Sequence, residues 1–227
     1  MRVTATAPAD AADHEARVSI HSMLPLLALI RILCLGDSYT IGESVAPNER
    51  WPAQLAAMLR GEGRDVADPV IIAQTGWTTD ELSTAIESAA PKGAFDLVTL
   101  LIGVNNQYRG RDTLEYRGHF RELLNRAIGL AGGNATHVIV LSIPDWGVTP
   151  FAADRDRARV GREIDEFNAI NREETLHRGA AYVEITPTSR EAAHDPGLTA
   201  MDGLHPSGEM YRRWAELVRP LAVAALE

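Results

Sequence analysis

The sequence predicts an α/β fold in which about five parallel strands lie between layers of helices. Three observations point to it. Apolar runs of strand length alternate with longer amphipathic segments from residue 31 to the end. One run, Asp96-Leu-Val-Thr-Leu-Leu-Ile102, is continuously apolar, the pattern of a strand buried on both faces at the centre of a parallel sheet. No internal repeat, low-complexity tract or Pro/Gly/Ser linker interrupts the alternation after residue 22. Residues 23–227 are therefore expected to form one domain behind an irregular leader over residues 1–22.

The elements follow in order. Arg31–Leu35 is the first predicted strand, ended by Gly36. Trp51–Arg60 carries Trp51, Leu55, Met58 and Leu59 at helical spacing, with Pro52 tolerated in a first turn. Val70–Ala73 is a short second strand, and Thr79–Ala90 opens with a Thr/Asp cap pattern and is a helix. Asp96–Ile102 is the third strand, Leu114–Leu130 a long helix ended by Gly132-Gly133, and His137–Ile143 a fourth strand closed by Pro144. Asp154–His177 is helical in period, Ala180–Ile185 is the fifth strand, and Ser207–Leu226 closes the chain as a helix with Met210, Trp214, Leu217, Val218 and Leu221 on one side.

Composition removes several function classes. The 227 residues are 45% hydrophobic, 23% charged and 6% aromatic, enough apolar material for a sizeable core and unlike disordered or fibrous chains. With 22 basic and 31 acidic residues the formal charge is −9, and Lys92 is the one lysine, so a phosphate-tracking face would depend on scattered arginines. Nucleic acid is not an expected partner. The single cysteine, Cys34, excludes an intrachain disulfide framework and fits a cytoplasmic location, with a secreted or periplasmic one as the alternative. The apolar run Met23–Leu35 contains Arg31 and is shorter than the roughly 20 residues that span a bilayer. It also lacks the basic start and small-residue cleavage site of a signal peptide, so no stable membrane insertion is expected. The histidines show no H-E-x-x-H or Cys/His spacing, and Lys92 does not lie in a G-x-x-x-x-G-K-[ST] loop.

In open parallel sheets ligands bind beyond the carboxyl ends of the strands. Gly36-Asp37-Ser38 follows the first strand, Gln74-Thr75-Gly76-Trp77 the second and Gly103-Val104-Asn105-Asn106 the third, while Asp202-Gly203-Leu204-His205-Pro206 precedes the last helix. A serine needs a base to attack a carbonyl carbon, and a neutral imidazole suits that role, which nominates Ser38 and His205. A carboxylate three residues before the histidine can hold the ring's tautomer, which nominates Asp202. Ser38 N–H, Gly76 N–H and the Asn105 amide are candidate donors for an oxyanion. Plainer readings exist for each: a helix cap for Ser38, a turn glycine for Gly76, a strand-end polar cap for Asn105. Asp37 is expected to brace the loop. Tyr39, Trp77, Tyr108 and Trp146, and also Phe151, could wall a substrate pocket, and the turn-rich segment 144–151 could gate it.

Gly36-Asp37-Ser38, Gly76, Gly103-x-Asn105 and Asp202-x-x-His205, in this order, resemble the four sequence blocks of the SGNH hydrolases, the GDSL esterases and lipases. The resemblance implies a flavodoxin-like three-layer α/β/α fold, Ser38 as nucleophile with His205 and Asp202 completing a triad, Gly76 and Asn105 in an oxyanion hole, and no metal or organic cofactor. It further implies hydrolysis of a small carboxylic ester, either short-chain or lysophospholipid-like, through an acyl-enzyme. Tyr39 replaces the leucine of the name, as in members similar to lysophospholipase-like esterases. Asn106 stands where the third block commonly has aspartate, a change expected to bear on how tightly the Asn105 loop is held rather than on the chemistry. The alternatives are a deacetylase of an acetylated carbohydrate and a non-catalytic ligand-binding module. The joint presence of Ser, His and Asp argues against the latter. A nucleotide-binding flavodoxin-like protein is disfavoured by the missing G-x-G-x-x-G and by a carboxylate where a phosphate would sit.

Overall fold

A computed structural model describes residues 1–2 and 29–227. Most of the expected leader, the start of the apolar run at 23–28, and His14 and His21 lie outside the described residues.

The five strands are β1 (Ile32–Asp37), β2 (Val70–Gln74), β3 (Leu97–Leu101), β4 (Val138–Leu141) and β5 (Ala181–Val183). All neighbours are parallel, in the order β2-β1-β3-β4-β5. β3 sits in the middle, with every residue buried, as expected of a run that is apolar but for Thr99. β2 is an edge strand with no residue fully buried. Helices α1 (Ser38–Ile41), α2 (Trp51–Gly61), α3 (Thr79–Ala89), α4 (Val104–Tyr108), α5 (Thr113–Leu130), α6 (Arg157–His177), α7 (Thr186–Ser189) and α8 (Gly208–Ala225) complete the chain. α2 and α8 pack on each other in one layer, while α3, α5 and α6 form the other. Their starts are fixed by side chains that satisfy free N–H groups: a Thr78/Glu81 capping box for α3, Asp112 for α5, Asp156 for α6 and Ser207 for α8. Among the described residues no helix is long and apolar enough to cross a membrane. Cys34 is buried in β1, and that burial pushes its thiol up to about 12, the state of an inert packing residue.

The first strand does not stop at Gly36. Gly36 pairs with Ala73 on one side and Leu101 on the other, and Asp37 pairs with Gln74, so strand pairing delivers Ser38 to the sheet's carboxyl edge. A glycine is needed there because a Cβ at Gly36 would lie 2.5 Å from the Leu101 carbonyl and collide with the Thr40 hydroxyl. Backbone cannot yield as a flexible side chain can. Gly36→Ala is expected to cost about 2–3 kcal/mol, roughly 5–10 °C in Tm for a chain of this size. Thermal melts of the two proteins check this, and equal melting temperatures would show that β1 and β3 can part to admit a methyl group.

Candidate active site

Ser38 begins α1 immediately after β1. Asp37 caps that turn, its Oδ1 accepting the Tyr39 N–H at 3.0 Å. Asp37 is fully buried, which pushes its carboxyl up to about 7 against the hydrogen bonds from the Tyr39 N–H and Asn105. The expected bracing role is what the geometry shows. The buried carboxyl also makes stability depend on pH. The folded chain holds a proton that the unfolded chain has released, so stability falls as pH rises from about 4 to about 7 and levels off above. Asp37→Asn is expected to remove this slope, read as urea midpoints at pH 5 and pH 8 that differ less than in the wild type. An undiminished difference in the variant would assign the slope to other groups.

His205 and Asp202 share a tight turn before α8. His205 is buried, and its Nδ1 lies 2.6 Å from Asp202 Oδ2, while Asp202 Oδ1 accepts the Leu204 and His205 N–H groups, both at 2.9 Å. Burial works to raise the Asp202 carboxyl, but hydrogen bonds from the Ser44 hydroxyl, the His205 ring and the two N–H groups prevail and hold it well below the usual carboxylate range. An Asp202 ionised at neutral pH favours the tautomer with the proton on Nδ1, leaving Nε2 as the acceptor. The Tyr39 ring lies against the imidazole, with centroids 5.2 Å apart.

Ser38, Asn105 and His205 line one cavity of about 140 Å³, closed by Tyr39, Val104, Tyr108, Trp146, Phe151 and Leu204. No hydrogen bond joins Ser38 Oγ to the imidazole among the described residues; such contacts often form only with substrate bound. Asn105 Nδ2 donates to the Trp77 carbonyl at 3.0 Å and makes a longer contact of 3.4 Å with Asp37 Oδ2. Its loop is firmly held despite the missing charge at Asn106. Asn106 Oδ1 accepts the Thr79 N–H at 3.1 Å and its Nδ2 donates to Thr79 Oγ1 at 2.9 Å, so one amide serves both groups at the start of α3. Gly103 turns the chain at φ +129°, where a Cβ would strike the Tyr116 ring.

Tyr108, Trp146 and Phe151 form an aromatic wall, with centroids 5.3–6.3 Å apart. Trp146 Nε1 donates to Gln107 Oε1 at 2.8 Å, and Gln107 Nε2 donates to Glu163 Oε2 at 2.7 Å, which fixes the indole from α4 and α6. Segment 144–151 thus lies at the cavity. Trp77 departs from the expectation: its ring is half-buried in a groove with Ile71, Ile72, Glu81 and Thr84, away from the Ser38 cavity. The turn at Gly76, with φ +85°, carries the chain past the sheet edge, and Trp77 reaches the site only through its carbonyl. Gly76 is not among the residues that line the cavity, and its carbonyl accepts from Arg109 Nη2 at 2.6 Å. Sequence reasoning missed Val104 and Leu204, the unspecified positions inside two of the motif blocks, and Ser44, which carries no local signal.

Five parallel strands in this order carry helices on both faces, and a serine, an asparagine and a His–Asp pair gather beyond the strand ends. The chain belongs to the GDSL-like lipase/acylhydrolase family, whose model matches residues 34–213. No sequence among curated proteins matches it. Solved structures share its fold at low identity. TesA superposes with a TM-score of 0.68 at 20% identity, covering 86% of this chain and 99% of its own. The lipase/acylhydrolase from Enterococcus faecalis gives 0.63 at 21%, covering 88% and 98%. An acetyl xylan esterase from Geobacillus stearothermophilus gives 0.63 at 19%, covering 85% and 94%.

Proposed function

We propose that this ester hydrolase cleaves short-chain carboxylic esters by an acyl-enzyme route through Ser38, His205 and Asp202. The observation that carries the reading is the single cavity lined by Ser38, Asn105 and a His205 already clamped to an ionised Asp202. Ser38 Oγ attacks the ester carbonyl as its proton passes to His205 Nε2. The imidazolium is stabilised by Asp202. The negative charge on the carbonyl oxygen falls to Ser38 N–H, Gly76 N–H and the Asn105 amide, whose second N–H is only loosely held by Asp37. The C–O bond to the alcohol breaks as His205 returns the proton to the leaving oxygen. Water then attacks the acyl-Ser38 carbonyl as its proton passes to His205 Nε2, and the bond between the acyl carbon and Ser38 Oγ breaks as His205 returns that proton to Oγ, freeing the acid and Ser38.

A cavity of about 140 Å³ with apolar walls favours a short acyl group over the long chain of a lysophospholipid. Beyond Tyr108 and Trp146 lies a larger cleft of about 720 Å³ rimmed by Arg111, Asp154, Arg155, Arg159 and Glu163. Its charged walls support a second, narrower reading in which the alcohol is polar, as in an acetylated carbohydrate. Intact-mass analysis after a fluorophosphonate probe tests the route: one adduct on the wild type, absent from Ser38→Ala, is expected. A folded wild-type protein that forms no adduct would overturn it.

A further inference from the structure

Ser44 lies six residues beyond Ser38 in a loop that the proposed chemistry does not use. Its φ is +65°, a left-handed conformation that serine seldom adopts and that persists only where surroundings impose it. Its side chain is tied across the fold. Ser44 Oγ donates to Asp202 Oδ2 at 2.6 Å across 158 residues of sequence, on the same oxygen that faces His205 Nδ1 at 2.6 Å. The preceding Glu43 accepts from the Thr75 hydroxyl, next to Gly76, so this short stretch ties the turn after β2 to the turn before α8.

The four donors around Asp202 divide evenly. Oδ1 takes two backbone N–H groups from its own turn, and Oδ2 takes the imidazole and the Ser44 hydroxyl. The backbone pair fixes where the carboxylate sits, but among the described residues only Ser44 holds Oδ2 from outside that turn. We infer that Ser44 is a positioning residue for the hydrolytic reaction, acting through Asp202 to keep the carboxylate oriented on His205 while the imidazole gains and loses its proton. This rests on the proposed roles of Asp202 and His205. Asp202 retains access to water, with its side chain 31% exposed, so solvent can partly replace the hydroxyl and the contribution is modest in size.

The conformation supplies an unusually clean test. Glycine is at ease at φ +65°, so Ser44→Gly removes the hydroxyl while relieving the backbone. The expected result is a kcat about tenfold lower toward p-nitrophenyl acetate, with KM changed less than about twofold and Tm equal to or above that of the wild type. A residue that merely supported the fold would not lose turnover while keeping its melting temperature. In an Asp202→Asn background, Ser44→Gly should change kcat less than about twofold, because its route to the chemistry is already cut. An unchanged kcat in Ser44→Gly, or a full tenfold drop in the Asp202→Asn background, would overturn the inference and leave the proposed triad standing. Full turnover by Asp202→Asn alone would overturn the triad and the inference with it.

Discussion

Ser38→Ala is expected to lower kcat for ester hydrolysis on the order of a millionfold, with the melting temperature essentially unchanged. The asymmetry follows from what Ser38 does in the fold. Its Oγ makes no hydrogen bond among the described residues, and the turn it opens is capped by Asp37 rather than by Ser38 itself. Alanine fits the first position of α1 and leaves the pairing of Gly36 and Asp37 with β2 intact. What disappears is the proposed nucleophile; the other hydroxyl-bearing residues lining the cavity are Tyr39, whose phenol burial holds far from ionisation, and Tyr108. Residual turnover from oxyanion stabilisation and substrate binding should persist, some thousandfold above the rate in water. Steady-state kinetics and a thermal melt on the same preparation decide it. Retained turnover in a pure variant would remove Ser38 as nucleophile, and a collapsed melting temperature would show that its hydroxyl carries structural weight.

The frame of the fold was legible because its signals are local and repeated. β3 declares its central place by a run that is apolar but for Thr99, and α3, α5 and α8 declare their faces by period. The strand ends were less legible. Gly36 is a breaker by propensity, yet between β2 and β3 its missing side chain lets the neighbouring strand's backbone approach, and pairing continues through it. The short helices α1, α4 and α7 were invisible because four or five residues hold too little period to register, although α1 and α4 carry Ser38 and Asn105. The candidate site was legible as four blocks at strand ends, where an open sheet binds ligands. Its walls were not. Whether Trp77 or Leu204 faces the cavity depends on how loops turn, and the bond between Ser44 and Asp202 joins residues too distant in sequence for any spacing rule to pair.

The second large effect is expected from Asn105→Ala: a loss of roughly 100- to 1000-fold in kcat with a much smaller change in KM. The Asn105 amide is already oriented before substrate arrives. One N–H is fixed on the Trp77 carbonyl, and the Asn106–Thr79 clasp holds the next residue against α3, so the second N–H needs little rearrangement to meet a developing oxyanion. A ground-state ester oxygen carries little charge and gains little from that donor, whereas the tetrahedral intermediate gains several kcal/mol, which is why kcat and not KM should respond. The substitution also takes a donor from Asp37, which should push that buried carboxyl further upward and extend to higher pH the range over which stability declines. Two independent readouts therefore attach to one side chain. A kcat within threefold of the wild type would exclude Asn105 from the oxyanion hole, and it would leave the Asp37 effect as the measure of what the amide does for the fold alone.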